Sequence, residues 1–253
     1  MILNSFNLEG KVAIVTGASR GLGQGVALSL AEAGCNIVGV STKNSAETKK
    51  LVEDMGRKYL DISCDLTKQD KIPDVVKQSV ETFGKIDILV NNSGIIRRED
   101  AINFTEQDWD DVMNVNLKSA FFFCQNVAKQ FMSQGNGGKI INIASLLSYQ
   151  GGIRVPSYTS SKGGIKGLTM ALANEWASHN INVNGIAPGY MATDNTQALR
   201  DDEKRSGEIL GRIPAGRWGK PSDIGGTAVF LASQAADYIN GFTIAVDGGW
   251  LGR

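Results

Sequence analysis

Val12-Ala13-Ile14-Val15-Thr16-Gly17-Ala18-Ser19-Arg20-Gly21-Leu22-Gly23 is the stretch whose reading decides the fold. Five uncharged, mostly β-branched residues run into a glycine-rich turn and then into a helical pattern. Val12 to Thr16 reads as a strand covered on both faces. The glycines let the backbone turn tightly and come close to a diphosphate. A helix starting at Gly21 points its N–H groups and positive dipole end at those phosphates. A strand-to-helix turn alone would also want glycine, so the triplet is weak by itself. Its place at the first strand–helix junction gives it weight, although the spacing Gly-x-x-x-Gly-x-Gly differs from the Gly-x-Gly-x-x-Gly dinucleotide fingerprint.

The same kind of apolar run recurs along the chain. Asn36 to Val40, Ile86 to Val90, Lys139 to Ala144, Ile181 to Ala187 and Thr243 to Val246 read as strands, with Tyr59 to Ile62 a weaker seventh. Helical patterns separate them. The expected fold is α/β: one domain over residues 1–253, a doubly wound, Rossmann-like, parallel seven-stranded sheet with helices on both faces. Its ligands should bind beyond the carboxyl ends of the strands. A polar excursion over about 190–215 reads as a lid.

Composition excludes several function classes. Lys plus Arg (26) equals Asp plus Glu (26), so neither nucleic acid nor an anionic membrane is an expected partner. No apolar run reaches the roughly 18 to 20 residues of a membrane span, and the N-terminal residues lack the basic head and apolar core of a signal peptide. Cys35, Cys64 and Cys124 show no Cys-x-x-Cys pairing and read as reduced, buried side chains of a cytoplasmic protein. His179 is the single histidine, which leaves no multi-histidine metal site, and no metal is expected.

The chemistry concentrates at predicted strand ends. Ser145 follows the apolar run that ends at Ala144; Tyr158 and Lys162, at i and i+4, share one face of a helix opened by Pro156. A hydroxyl, a phenol and an ammonium so arranged can handle a proton and a carbonyl. The ammonium should pull the phenol pKa down from about 10, with desolvation opposing it. At the end of the second strand, Ser41-Thr42-Lys43 offers no carboxylate for the ribose hydroxyls of NAD. Arg20 and Lys43 either accept a 2′-phosphate, favouring NADP, or are solvated charges. Asp65 either accepts from an adenine amino group or caps a helix starting near Thr67. Asn91-Asn92-Ser93-Gly94 ends the fourth strand, where it can brace the glycine turn. Arg97 and Arg98, and Arg154 beside Gly151-Gly152, are candidates for a substrate anion, against the bland reading of surface ion pairs. Asn116, in an apolar helix over 105–134, is a buried amide that needs partners. That helix is too apolar for one covered face, and the helix after Pro156 carries Gly163, Gly164 and Gly167. Both therefore read as surfaces that pack against copies of the chain.

In this order and spacing, Thr16-Gly17-x-x-x-Gly21-x-Gly23, Asn91-Asn92-Ser93-Gly94, Asn116, Ser145, Tyr158-x-x-x-Lys162 and Pro188-Gly189 resemble the short-chain dehydrogenases/reductases along essentially the whole chain. Ser93 departs from the family's usual alanine. Ile95 to Ala101, Tyr149 to Tyr158 and Ile213 to Gly219 are similar to family members that interconvert 5-keto and 5-hydroxy sugar acids in uronate breakdown. The resemblance implies four catalytic residues: Asn116, Ser145, Tyr158 and Lys162. Tyr158 is then the acid/base, Lys162 also holds the nicotinamide ribose, and Asn116 holds a water that links Lys162 to solvent. It implies a cofactor lying along Gly17, Ser19, Arg20, Gly21, Leu22, Gly23, Ser41, Asp65, Leu66, Asn92, Gly94, Tyr158, Lys162, Pro188, Gly189, Met191 and Thr193. The family leans to NAD here, whereas the residues leave NADP open. The expected substrate is a sugar acid met by Ser145, Gln150, Arg154, Tyr158, Arg97 and Arg98. A homo-tetramer or dimer is expected through helices 105–134 and 156–178. The rivals are a 5-dehydrogenase for gluconate, a 3-ketoacyl reductase, and a non-catalytic nucleotide-sensing protein.

Overall fold

The computed structural model describes the backbone of residues 1–253 and every side chain except that of Asn195. In chain order the elements are β1 (Val12–Thr16), α1 (Gly21–Glu32), β2 (Asn36–Ser41), α2 (Ala46–Asp54), β3 (Tyr59–Ser63), α3 (Ile72–Phe83) and β4 (Ile88–Asn91). They continue with α4 (Glu106–Met113), α5 (Ser119–Gln134), β5 (Gly138–Ile143), α6 (Pro156–Trp176) and β6 (Ile181–Pro188). The last are α7 (Gln197–Asp201), α8 (Glu203–Arg212), α9 (Pro221–Ala232) and β7 (Thr243–Val246).

The seven strands form one parallel sheet in the order β3-β2-β1-β4-β5-β6-β7. Chain direction across the sheet reverses between β1 and β4, which opens a crevice at their carboxyl ends. Alternation along β1 builds the two layers. Ala13 and Val15 pack with Val26, Leu30 and Ala228 of α1 and α9. Val12 and Ile14 pack with Phe123, Val127 and Leu172 of α5 and α6. Every residue of β1 is buried, whereas the edge strand β3 buries Tyr59 and Ile62 and exposes Asp61 and Ser63. That partial burial is why β3 carries the weaker apolar signal.

Two expectations change. The helix expected over 105–134 is interrupted: Asn114–Lys118 forms a π-helical turn between α4 and α5, and Asn116 sits within it. Such a wide turn lets one residue bulge without ending the helix, and it turns the Asn116 amide inward. The helix expected near Thr67 starts at Ile72, with Pro73 in its first turn. Among the described residues, no helix is long and apolar enough to cross a membrane.

Candidate active site

The glycine turn is locked from β4. Thr16 Oγ1 accepts from the backbone N–H groups of Asn92 and Ser93 at 2.9 Å each, and Asn92 Nδ2 donates to Thr16 O at 2.9 Å. Gly17 (φ +69°) and Gly21 (φ +59°) occupy the left-handed region. A Cβ on Gly23 would collide with the Gly17 carbonyl and the Asn92 amide. No side chain caps α1 at Arg20, so the first-turn N–H groups face the crevice unclaimed. A tight cradle with free N–H groups fits the diphosphate of a dinucleotide.

The crevice continues as a cleft of about 900 Å³ that takes in every residue expected to line the cofactor. At its far end Ser41 Oγ donates to Lys43 O (2.6 Å) and pairs with Ser45 Oγ (3.0 Å), which shapes the turn that carries Lys43. Arg20 is paired with Asp194 at 3.0 Å. Asp65 Oδ1 accepts from the backbone N–H of Thr67 (3.0 Å) and from its hydroxyl (2.8 Å). These bonds hold its carboxyl below the usual range. Asp65 therefore closes a local turn and caps no helix at Thr67; with its carboxylate exposed on the cleft wall, the adenine-facing alternative remains.

Ser145, Tyr158 and Lys162 all line this cleft. Ser145 begins a short turn, its Oγ accepting from Leu147 N at 3.2 Å. Ser148 Oγ ties that turn to α6 by donating to Lys162 O at 2.6 Å. Burial pushes the Tyr158 phenol above its ordinary pKa, partly offset by its hydrogen bond with Ser145 and the charge of Arg98. The expected lowering by Lys162 is not what the geometry produces. Lys162 Nζ lies 5.7 Å from the Tyr158 ring centre and donates to Ile143 O at 2.6 Å. Burial lowers its pKa to about 8. Desolvation thus outweighs the hydrogen bond with Ser145 and the charge of Arg98, and the phenol stays above its ordinary pKa.

Asn116 stands behind the cleft wall. Its Oδ1 accepts from Ile95 N (2.8 Å), and its Nδ2 donates to Ile95 O (3.0 Å) and Ser161 Oγ (3.1 Å). It pins the loop after β4 to α6, and with both N–H bonds spent only Oδ1 can take a further partner. Gly94 separates it from Lys162: a Cβ there would lie 3.4 Å from Asn116 Oδ1 and 3.9 Å from Lys162 Nζ.

The arginines sort differently from expectation. Arg154 is turned away from the cleft. Its guanidinium meets Asp100 (3.0 Å) and Glu99 (3.6 Å), and its carbonyl accepts from Glu99 N (3.1 Å). Its backbone is left-handed, φ +64°, a conformation costly for a non-glycine residue and held by this clasp. Arg97 lines the cleft but is claimed by Asp108 (3.3 Å) and Asp111 (3.2 Å) of α4. Arg98 lines the cleft with no carboxylate partner among the described residues. Sequence reasoning did not single out Arg205, Arg212 and Trp250, which also line the cleft. Arg212 directly precedes the Ile213-Pro214 return, the one hint that it faces the site.

A family model described as enoyl-(acyl carrier protein) reductase matches residues 17–251. The chain is 66% identical over 253 residues, all of both chains, to the 2-dehydro-3-deoxy-D-gluconate 5-dehydrogenase of Escherichia coli. This chain belongs to the short-chain dehydrogenase/reductase family. Within that family it is also 65% identical, over the whole of both chains, to the 2-dehydro-3-deoxy-D-gluconate 5-dehydrogenase of Dickeya dadantii. A crystal structure from Agrobacterium tumefaciens with bound NADP, provisionally called a 2-deoxy-D-gluconate 3-dehydrogenase, is 52% identical. It superposes with a TM-score of 0.93 over 99% of this chain and 100% of its own. This short-chain dehydrogenase/reductase is thus a nicotinamide-dependent oxidoreductase that acts on a CH–OH group.

Proposed function

We propose that the protein transfers a hydride between a nicotinamide cofactor and C5 of a sugar acid, as a 2-dehydro-3-deoxy-D-gluconate 5-dehydrogenase. The observation that carries this reading is Arg98, which lines the same cleft as Tyr158 and whose charge acts on that phenol. Cations without carboxylate partners at the reacting end suit an acidic substrate, and the relatives from Escherichia coli and Dickeya dadantii support this acid in particular. The bound nicotinamide supplies or takes up the hydride. Tyr158 gives its proton to the substrate oxygen as the carbonyl is reduced and retrieves it in oxidation. Ser145 donates to the same oxygen and stabilises the developing charge. Lys162, fixed by Ile143 O, presents an ammonium to a ribose and to the phenol. Asn116 keeps the Ile95 backbone in place and offers Oδ1 to a relay water.

No carboxylate stands at the end of β2, and Lys43 lies on the cleft wall there, so the site admits the 2′-phosphate of NADP as well as NAD. The test is reduction of 5-keto sugar acids and of carrier-bound 3-ketoacyl chains, followed by nicotinamide absorbance with both coenzymes. The expected result is a kcat/KM for a sugar acid far above that for the acyl chain; the reverse order rejects the substrate assignment.

The protein is also proposed to self-associate through α5 and α6. Met113, Leu117, Phe121 and Leu168 line an apolar groove of about 460 Å³ there, and Gly163 and Gly167 have open space beyond them. Gly167→Glu should lower the mass found by sedimentation at micromolar concentration. A monomeric wild type, or an unchanged mass in the variant, removes this interface.

A further inference from the structure

We propose that Gln150 and Arg212 form the subsite that holds the substrate carboxylate, with Trp250 as the platform that orients both. The proposal rests on the sugar-acid reading above and assigns the acid group to residues other than Arg97, Arg98 and Arg154.

The orientation of Gln150 follows from its partners. Trp250 Nε1 and Arg212 Nη2 approach one atom of its amide, at 3.1 and 3.4 Å. Indole and guanidinium nitrogens only donate, so that atom is Oε1. The Nε2 group, with two N–H donors and no partner among the described residues, is left for the cleft.

Arg212 is positioned by the same ring. Its guanidinium carbon lies 4.0 Å from the Trp250 ring centre, a stacked arrangement. Trp250 is only 4% exposed and packs on Tyr190 with ring centres 4.7 Å apart. The platform is therefore rigid before any ligand arrives, which lowers the ordering cost of binding. Charge bookkeeping on the cleft wall singles Arg212 out. Arg20, Arg97 and Arg205 are neutralised by Asp194, by Asp108 with Asp111, and by Glu208. Arg98 and Arg212 have no carboxylate partner among the described residues, and the charge of Arg98 acts on Tyr158 at the catalytic end. Arg212 and the Gln150 Nε2 thus offer a set of donors at the Trp250 end of the cleft, where Glu208, four residues earlier on α8, is taken up by Arg205 at 3.5 Å. Such a set favours a carboxylate, whereas a hydroxymethyl group would leave most of the donors unpaired.

The test compares 5-keto-D-gluconate with L-sorbose, the same skeleton with hydroxymethyl in place of carboxylate. Full-length wild type, Gln150→Glu and Arg212→Met are assayed with reduced coenzyme. Gln150→Glu keeps an acceptor for Trp250 and Arg212 but replaces the two donors by negative charge. The preference for acid over sorbose, as a ratio of kcat/KM, should fall by about 10- to 100-fold in each variant, mostly through KM for the acid. Equal losses on both substrates, or a wild-type ratio, overturn the subsite while leaving the sugar-acid reading intact. A wild type that reduces sorbose as well as the acid rejects that reading, and the subsite with it.

Discussion

Replacing Tyr158 by Phe should lower kcat for carbonyl reduction by about 100- to 10,000-fold, the usual contribution of a positioned acid. The ring stays in place between Ser145 and Lys162 while the hydroxyl that gives its proton to the substrate oxygen is lost. Burial holds that phenol protonated at neutral pH, so the loss should be as large at pH 6 as at pH 8. Coenzyme binding, read by fluorescence titration, should persist, since the glycine turn and the N-terminus of α1 are untouched. Turnover within tenfold of wild type would reassign the proton donor.

A second large effect is expected at Gly23. Its missing Cβ is the space in which the Gly17 carbonyl and the Asn92 amide lie. Neither can yield cheaply, because Asn92 Nδ2 is bonded to Thr16 O and Gly17 N to Val40 O (2.7 Å). Gly23→Ala should weaken coenzyme binding by about 100-fold or more and cost roughly 1–3 kcal/mol of stability, as overpacking does. Gly226→Ala is the contrast. Nothing lies within 4 Å of the position a Cβ would take there, inside α9. That substitution should raise stability by about 0.5–1 kcal/mol and leave coenzyme affinity alone. Calorimetry and coenzyme titration of both variants read the difference. Equal behaviour would mean the glycine turn is not the close contact described.

Most of the fold was legible because its interior strands are buried on both faces, which writes apolar runs such as Val12 to Thr16 and Ile181 to Ala187 into the sequence. The spacing from Ser145 through Tyr158 to Lys162 was legible too, since a strand end and one helical turn carry it. Side-chain pairing was less so. Arg154 and Arg98 differ little as letters in a chain. Only the left-handed backbone at Arg154, and the acids it meets across two loops, turn it from the cleft. Likewise Lys162 sits one turn from Tyr158, yet its ammonium goes to a carbonyl at the end of β5, a partner 19 residues earlier in the chain. The π-turn at Asn114–Lys118 leaves an apolar pattern that reads as an unbroken helix. Arg212 and Trp250 come together only because the end of α8 packs on the C-terminal segment.

Hydride transfer at C5 of a sugar acid is measured most directly with coenzyme carrying deuterium at the transferring position of the reduced nicotinamide, and the 2,5-diketo form of 3-deoxygluconate as substrate. Locating the label in the product by nuclear magnetic resonance reads the reaction centre itself. One deuterium at C5 is the predicted result; label at C2, or none in the sugar acid, would contradict it.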